Sequence, residues 1–418
     1  MRGAPLEGTL SFLLPGPAET ALLGVCLRPR RAREAWGDWC RRGGDLDFYR
    51  SLLPLIDEGA RRGGLELDEA LSARLSGARL HESLRLHAIR EIAAEVLDRL
   101  AGAGLDPVVV QDVALAETVY PEPALRHCHA LELLLAPESV TVAASALEAG
   151  GFLRARERST AAGSELAHES GFPVRLATAP LPRVVPQTDG SALGARAILT
   201  EIAGRRARVP APADTLALVL GRAAVTAERR SLLWACDATL AIEAASDLDW
   251  DGVARVAAGW GLGIPLAAML EWLSSELEAP VPRPLIERIA GTALQGAGRA
   301  RATETALECV RADGRAGPAT LLAHATSWRE RASVLRWTAF PSIDRLRRSY
   351  PDVPRPALSL LYVARPLLGA LRSVTGRSGR PVRARGSRAP EVGTAAARSG
   401  DRSGPAADRA SASRRSSG

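Results

Sequence analysis

The 418 residues carry 54 basic and 47 acidic side chains, and 46% are hydrophobic, enough to bury the cores of two or three domains. From Ser373 onward ten arginines face three acids, which accounts for the whole net charge of +7 and leaves residues 1–372 balanced. No lysine occurs, which excludes a lysine phosphate ligand, Schiff base or general base.

The early chain reads as helical. Ala18 to Leu27 is an apolar run that Pro29 stops, and Asp47 to Glu58, Leu67 to Leu75 and Leu84 to Leu100 carry apolar residues at helical spacing. Gly102 and Gly104 end the last of these. Pro107 then opens Val108-Val109-Val110, a β-branched run with the signature of a buried strand. Leu131 to Leu135 follows as a second strand and Glu138 to Ala149 as a helix stopped by Gly150-Gly151. Phe152 to Glu157 and Pro173 to Thr178 are the candidate third and fourth strands. This order predicts a small mixed sheet with helices on one side.

From Ala213 to about Arg347 the pattern is helical again, broken at Pro280 to Pro284 because proline cannot sit inside a helix. Trp234, Trp250, Trp260 and Trp272 fall on or near helix faces there and read as large core anchors. Residues 373–418, rich in Arg, Ser, Gly, Ala and Pro, lack the bulky apolar groups that would offset the entropy of ordering, so a disordered tail is expected. The fold class is therefore α/β and mostly helical. Its expected parts are an N-terminal helical segment (1–103), an α/β core (104–200), a C-terminal helical domain (201–372) and the tail (373–418).

Five cysteines (Cys26, Cys40, Cys128, Cys236, Cys309), widely spaced and without a CxxC pair, point to a reducing compartment and away from a disulfide scaffold or structural zinc. Pro15-Gly16-Pro17 interrupts the only early apolar run, so no signal peptide is read. Leu358 to Leu371 is too short to span a bilayer and contains Arg365, so no transmembrane segment is expected. The location these features predict is cytoplasmic.

The most informative stretch runs from Val108-Val109-Val110-Gln111-Asp112, through Tyr120-Pro121-Glu122-Pro123, to Arg126-His127-Cys128-His129-Ala130-Leu131-Glu132-Leu133-Leu134-Leu135. It resembles the core of an uncharacterised bacterial nucleotidyltransferase family of the polymerase-beta type. There the first strand ends in Leu-Lys-Gly and the second reads Arg-x-x-x-Asp-Ile-Asp-Leu-Leu-Val. Leu147 to Phe152, the Ser231-Leu232-Leu233-Trp234-Ala235-Cys236-Asp237 helix, Asp249-Trp250 and Pro280-Val281-Pro282 resemble later family segments in the same order.

The resemblance implies a fold that moves a nucleoside monophosphate from an NTP to an acceptor hydroxyl, with Mg²⁺ as cofactor if active. Two metals must bridge the attacking and leaving oxygens, and hard cations take carboxylate ligands. Carboxylates at i and i+2 of a strand share a face, about 6.5–7 Å apart, and so can grip both metals. In this chain, aligned on the family, Lys-Gly becomes Gln111-Asp112 and Asp-x-Asp becomes Ala130-Leu131-Glu132. The third carboxylate falls on Arg175 in Pro173-Val174-Arg175-Leu176-Ala177.

One of three metal ligands, Glu132, remains. The preferred reading is a degenerate site in which Glu132 pairs with Arg175, leaving a binding or scaffold role with an unknown protein partner. In a second reading Arg126 and Arg175, with Gln111, hold a nucleotide phosphate in place of metal. In a third, Asp112, Glu132 and Arg126 form a rearranged, active metal site. Asp237 on its apolar helix is read first as a structural contact, to an arginine, and otherwise as a distant site residue. His127, Cys128 and His129 are weighed as a zinc knot, but adjacent residues of a strand face opposite ways, so His127 and His129 could converge with one further ligand while Cys128 could not, and no second cluster completes it. Gly259 to Gly263 reads as a helix–helix turn. The basic tail could touch nucleic acid or other polyanions only electrostatically, since no aromatics interleave its arginines.

Overall fold

The structure, a computed structural model, describes residues 13–155, 163–181, 190–226 and 231–293 and five isolated positions between 328 and 336. The chain divides into two compact units, 1–367 and 368–418, and every described residue belongs to the first. The expected tail, Cys309, the Leu358–Leu371 run and nearly all of the helical pattern beyond residue 293 lie outside the described residues.

Four helices lead into the sheet: α1 (Pro17–Leu27), α2 (Ala32–Arg41), α3 (Leu53–Arg62) and α4 (Glu69–Gly102). The expectation of separate helices at 67–75 and 84–100 is corrected, because nothing between them breaks the backbone. Asp68 caps the start of α4, its side chain accepting from the Leu71 N–H at 2.8 Å, and the helix runs 34 residues. α1 and α3 pack with their backbones nearly touching at Gly59, where a Cβ would stand 2.0 Å from the Val25 carbonyl oxygen.

The core follows: β1 (Val108–Val110), α5 (Asp112–Thr118), β2 (Leu131–Leu134), α6 (Val140–Glu148), β3 (Leu153–Arg154), β4 (Gly163–Ala167), β5 (Pro173–Ala177), α7 (Gly190–Arg196), β6 (Ile198–Ile202) and β7 (Arg205–Val209). Among the described residues these strands make one seven-stranded sheet in the order β3-β4-β5-β2-β1-β7-β6. It is mixed, as expected: β1 runs antiparallel to β2 and parallel to β7, while β2 runs parallel to β5. The sheet is wider than the four strands anticipated, and β6 crosses the boundary expected at residue 200. The β6–β7 hairpin turns on Ala203 and Gly204, both with positive φ (52° and 74°), as a two-residue reversal matched to strand twist requires.

Helices cover both faces of the sheet, which corrects the one-sided arrangement expected from element order. Alternate strand residues show it. Val109, Leu131, Leu133, Val174 and Leu176 join the core formed with α4 and α6. Val108, Val110 and Leu134 face a second core shared with α8 (Pro212–Val225) and α9 (Leu233–Ala244). Beyond these come α10 (Trp250–Gly259), α11 (Gly263–Glu276) and α12 (Arg283–Ala293), with the 259–263 glycines in the turn between α10 and α11. Trp234 and Trp272 pack as core anchors with ring centroids 5.8 Å apart, and Trp260 is buried with them. No helix among the described residues is long and apolar enough to cross a membrane.

Candidate functional site

Because Leu131 and Leu133 point into the α4–α6 core, Glu132 between them points toward α8 and α9. Strand register sets its neighbours: Val110 on one side and Arg175 on the other, with Glu165 of β4 next to Arg175. The Arg175 guanidinium bridges the two acids, donating Nη1 to Glu132 at 2.9 Å and Nε to Glu165 at 3.1 Å. Arg222 of α8 reaches the same Glu132 carboxylate with two nitrogens, at 2.5 and 2.8 Å. Such forked pairing is among the strongest charge-assisted contacts a protein makes. The Glu132 side chain is only 8% exposed.

A second buried cluster lies beside the first. Arg126 donates Nη1 to Asp112 at 2.7 Å, and Nε and Nη2 to Asp237 of α9 at 3.1 and 2.9 Å. Tyr120 donates its hydroxyl to Asp237 at 2.6 Å. The other Asp112 oxygen accepts the backbone N–H groups of His129 and Ala130, at 2.6 and 3.2 Å. Burial works against the Asp112 charge, but the Arg126 guanidinium and the His129 N–H outweigh it and hold the carboxyl below its usual range. Burial also opposes the charge on Arg126, and Asp237 and Asp112 hold it protonated more firmly than usual.

All six site residues singled out in the sequence, Gln111, Asp112, Arg126, Glu132, Arg175 and Asp237, line one cavity of about 340 Å³. Gln111, the hinge between β1 and α5, has φ 59° and ψ −139°, a region essentially reserved for glycine and costing a side-chain-bearing residue about 1–3 kcal/mol. Trp234 lines the same cavity, and among the described residues its buried indole N–H has no acceptor, an omission that costs about 1–3 kcal/mol. His129 is at the wall too, and desolvation pushes its imidazole below the usual histidine range. Its ring meets that of His127 edge to face, and His127 in turn pairs with buried Glu82 at 2.8 Å. Burial pushes the Cys128 thiol up to about 12.

The fit to divalent metal is poor. Ala130 has no ligand atom, and Arg175 brings a positive charge to the third position. All six carboxylate oxygens of Asp112, Glu132 and Asp237 already accept from arginine, tyrosine or backbone donors. Among the described residues no group of three or more His, Cys, Asp or Glu side chains could hold a metal ion, and this covers the His127–Cys128–His129 knot as well. The placing of Asp112 at the end of the first strand is also corrected: it is the first residue of α5.

Sequence reasoning missed Arg222. The signal was there: one arginine within the apolar run Leu216 to Val225 must find an acid if that helix is buried. Tyr120 was quoted for its motif and not for its hydroxyl, and Glu165 lies on a strand that was not foreseen.

A family model described as an uncharacterised nucleotidyltransferase matches residues 45–276, more than half of the chain. No curated protein matches the chain, nor does any solved structure.

Proposed function

The chain belongs to the uncharacterised nucleotidyltransferase family, and from that premise we propose that its catalytic pocket has become an ion-paired joint serving a binding or scaffold role. The observation that carries this reading is the Glu132 carboxylate, gripped from two sides by Arg175 and Arg222. In the family this residue would hold metal; here two guanidiniums occupy its lone pairs. The joint also ties sheet to helices, since Arg222 and Asp237 come from α8 and α9 while Glu132 and Arg126 belong to the core.

The same geometry argues against phosphate held directly by arginine. Among the described residues of the wall, Arg126, Arg175 and Arg222 match Asp112, Glu132 and Asp237 in number, so they offer an NTP little net attraction. It also speaks against a metal site rebuilt on Asp112 and Glu132, because stripping either acid of its arginine leaves a buried charge unmatched.

The test is thermal unfolding with NTPs in the presence and absence of Mg²⁺, alongside turnover of α-labelled NTP. A ligand at 100 times its Kd adds about 2.7 kcal/mol. The expected result is no Mg²⁺-dependent stabilisation and no labelled product. Stabilisation that needs Mg²⁺ and disappears in Glu132→Gln would overturn the proposal.

A further inference from the structure

The cavity beside Glu132 has two features that an ion-paired joint does not require. Gln111 keeps a side chain in a backbone conformation suited to glycine, and its amide makes no side-chain hydrogen bond among the described residues. Trp234, on the same wall, keeps an indole N–H with no acceptor among the described residues. Each is a standing destabilisation that a simple substitution would remove, glycine at 111 or phenylalanine at 234. Backbone strain held at a cavity wall is the pattern of a group positioned for a ligand.

We infer that this cavity binds an uncharged small molecule presenting a carboxamide-like edge, a carbonyl oxygen beside an N–H. Gln111 offers the complementary pair, a carbonyl acceptor and an NH₂ donor, so it recognises such an edge through two hydrogen bonds. Trp234 puts its aromatic side chain on the same wall, so the indole reports on what occupies the cavity. His129 adds a donor and an acceptor at the wall while its imidazole is neutral. The cavity, about 340 Å³, suits one substituted ring. The ligand is uncharged because, among the described residues, the three arginines and three acids that line the cavity cancel one another. The inference rests on the ion-paired reading of the site and adds to it the class of molecule bound.

The experiment follows the indole N–H resonance of Trp234 in the ¹⁵N-labelled full chain, assigned with Trp234→Phe. The probes are uridine and nicotinamide, which carry the edge, glucose, which carries only hydroxyls, and UTP with Mg²⁺. Uridine or nicotinamide is expected to shift the resonance saturably at millimolar concentration, and glucose is not. Gln111→Gly is expected to raise the Tm while weakening the probe at least tenfold. Gln111→Ala, which keeps the strain and loses the amide, is expected to weaken the probe without raising the Tm. The inference is overturned if neither edge-bearing probe gives a saturable shift, if glucose shifts it equally, or if Gln111→Gly leaves affinity unchanged. Silence from all four probes removes the ligand and leaves the ion-paired joint standing. A response confined to UTP with Mg²⁺ overturns both.

Discussion

Asp237 shows how much one side chain can carry when its partners have no other recourse. It accepts from Tyr120 and twice from Arg126, and both ends of the pair are at most 5% exposed. Removing one partner of a buried pair costs about 3–5 kcal/mol, because the other charge is left without water or counter-ion. Asp237→Ala should therefore lower the stability measured by urea unfolding by that amount. Glu278→Ala, whose partner Arg31 is half exposed, should cost less than about 1 kcal/mol. A loss no larger at position 237 than at 278 would refute the buried cluster. At this scale the sequence was readable where a charge stood in an apolar run. Asp237 in α9 was singled out for that reason, and Arg222 in α8 met the same criterion. Their pairings were not readable, since partners 90 and 111 residues away are chosen by packing.

Among the elements, α1 and α3 depend on a position without a side chain. The carbonyl of Val25 occupies the place a Cβ on Gly59 would take, so Gly59→Ala must push the helices apart. Overpacking of this kind costs about 1–3 kcal/mol, and the reduced midpoint in a denaturant titration measures it. An unchanged midpoint would mean that the two helices do not approach this closely. An unbroken apolar run stopped by Pro29 made α1 legible, the Gly150-Gly151 stop did so for α6, and β-branched residues did the same for β1. The β6–β7 hairpin escaped because its turn is Ala203-Gly204, lacking the asparagine or aspartate that usually marks such a turn. β4 escaped because Gly163-Ser164-Glu165-Leu166-Ala167 has little β propensity of its own. Its place between β3 and β5 makes it a strand.

The whole molecule should answer to pH in two stages. Desolvation depresses the His129 pKa, so below about 6.5 the unfolded chain takes up that proton first and stability falls as pH drops. Asp112 and Glu82 work lower down. Burial raises both, but their cationic and hydrogen-bonding partners prevail, so each folded pKa lies below its unfolded value. The stability they contribute is complete above about pH 5 and is lost as pH falls through their folded values. Chemical denaturation across a pH series should give a shallow first decline, absent in His129→Gln, and a steeper one below about pH 4. A flat profile down to pH 4 would contradict the shift assigned to His129.

The arginines around Glu132 also bear on which single substitutions this pocket can accept. Aspartate at position 130 would set a new acid against Asp112, whose carboxylate already takes the Ala130 backbone N–H. Replacing Arg175 or Arg222 alone would strand part of the charge on Glu132. Each of these single substitutions therefore passes through a less stable protein. On the function proposed above, a metal site could form here only through several coordinated changes, and selection acting on one substitution at a time has no downhill path to them.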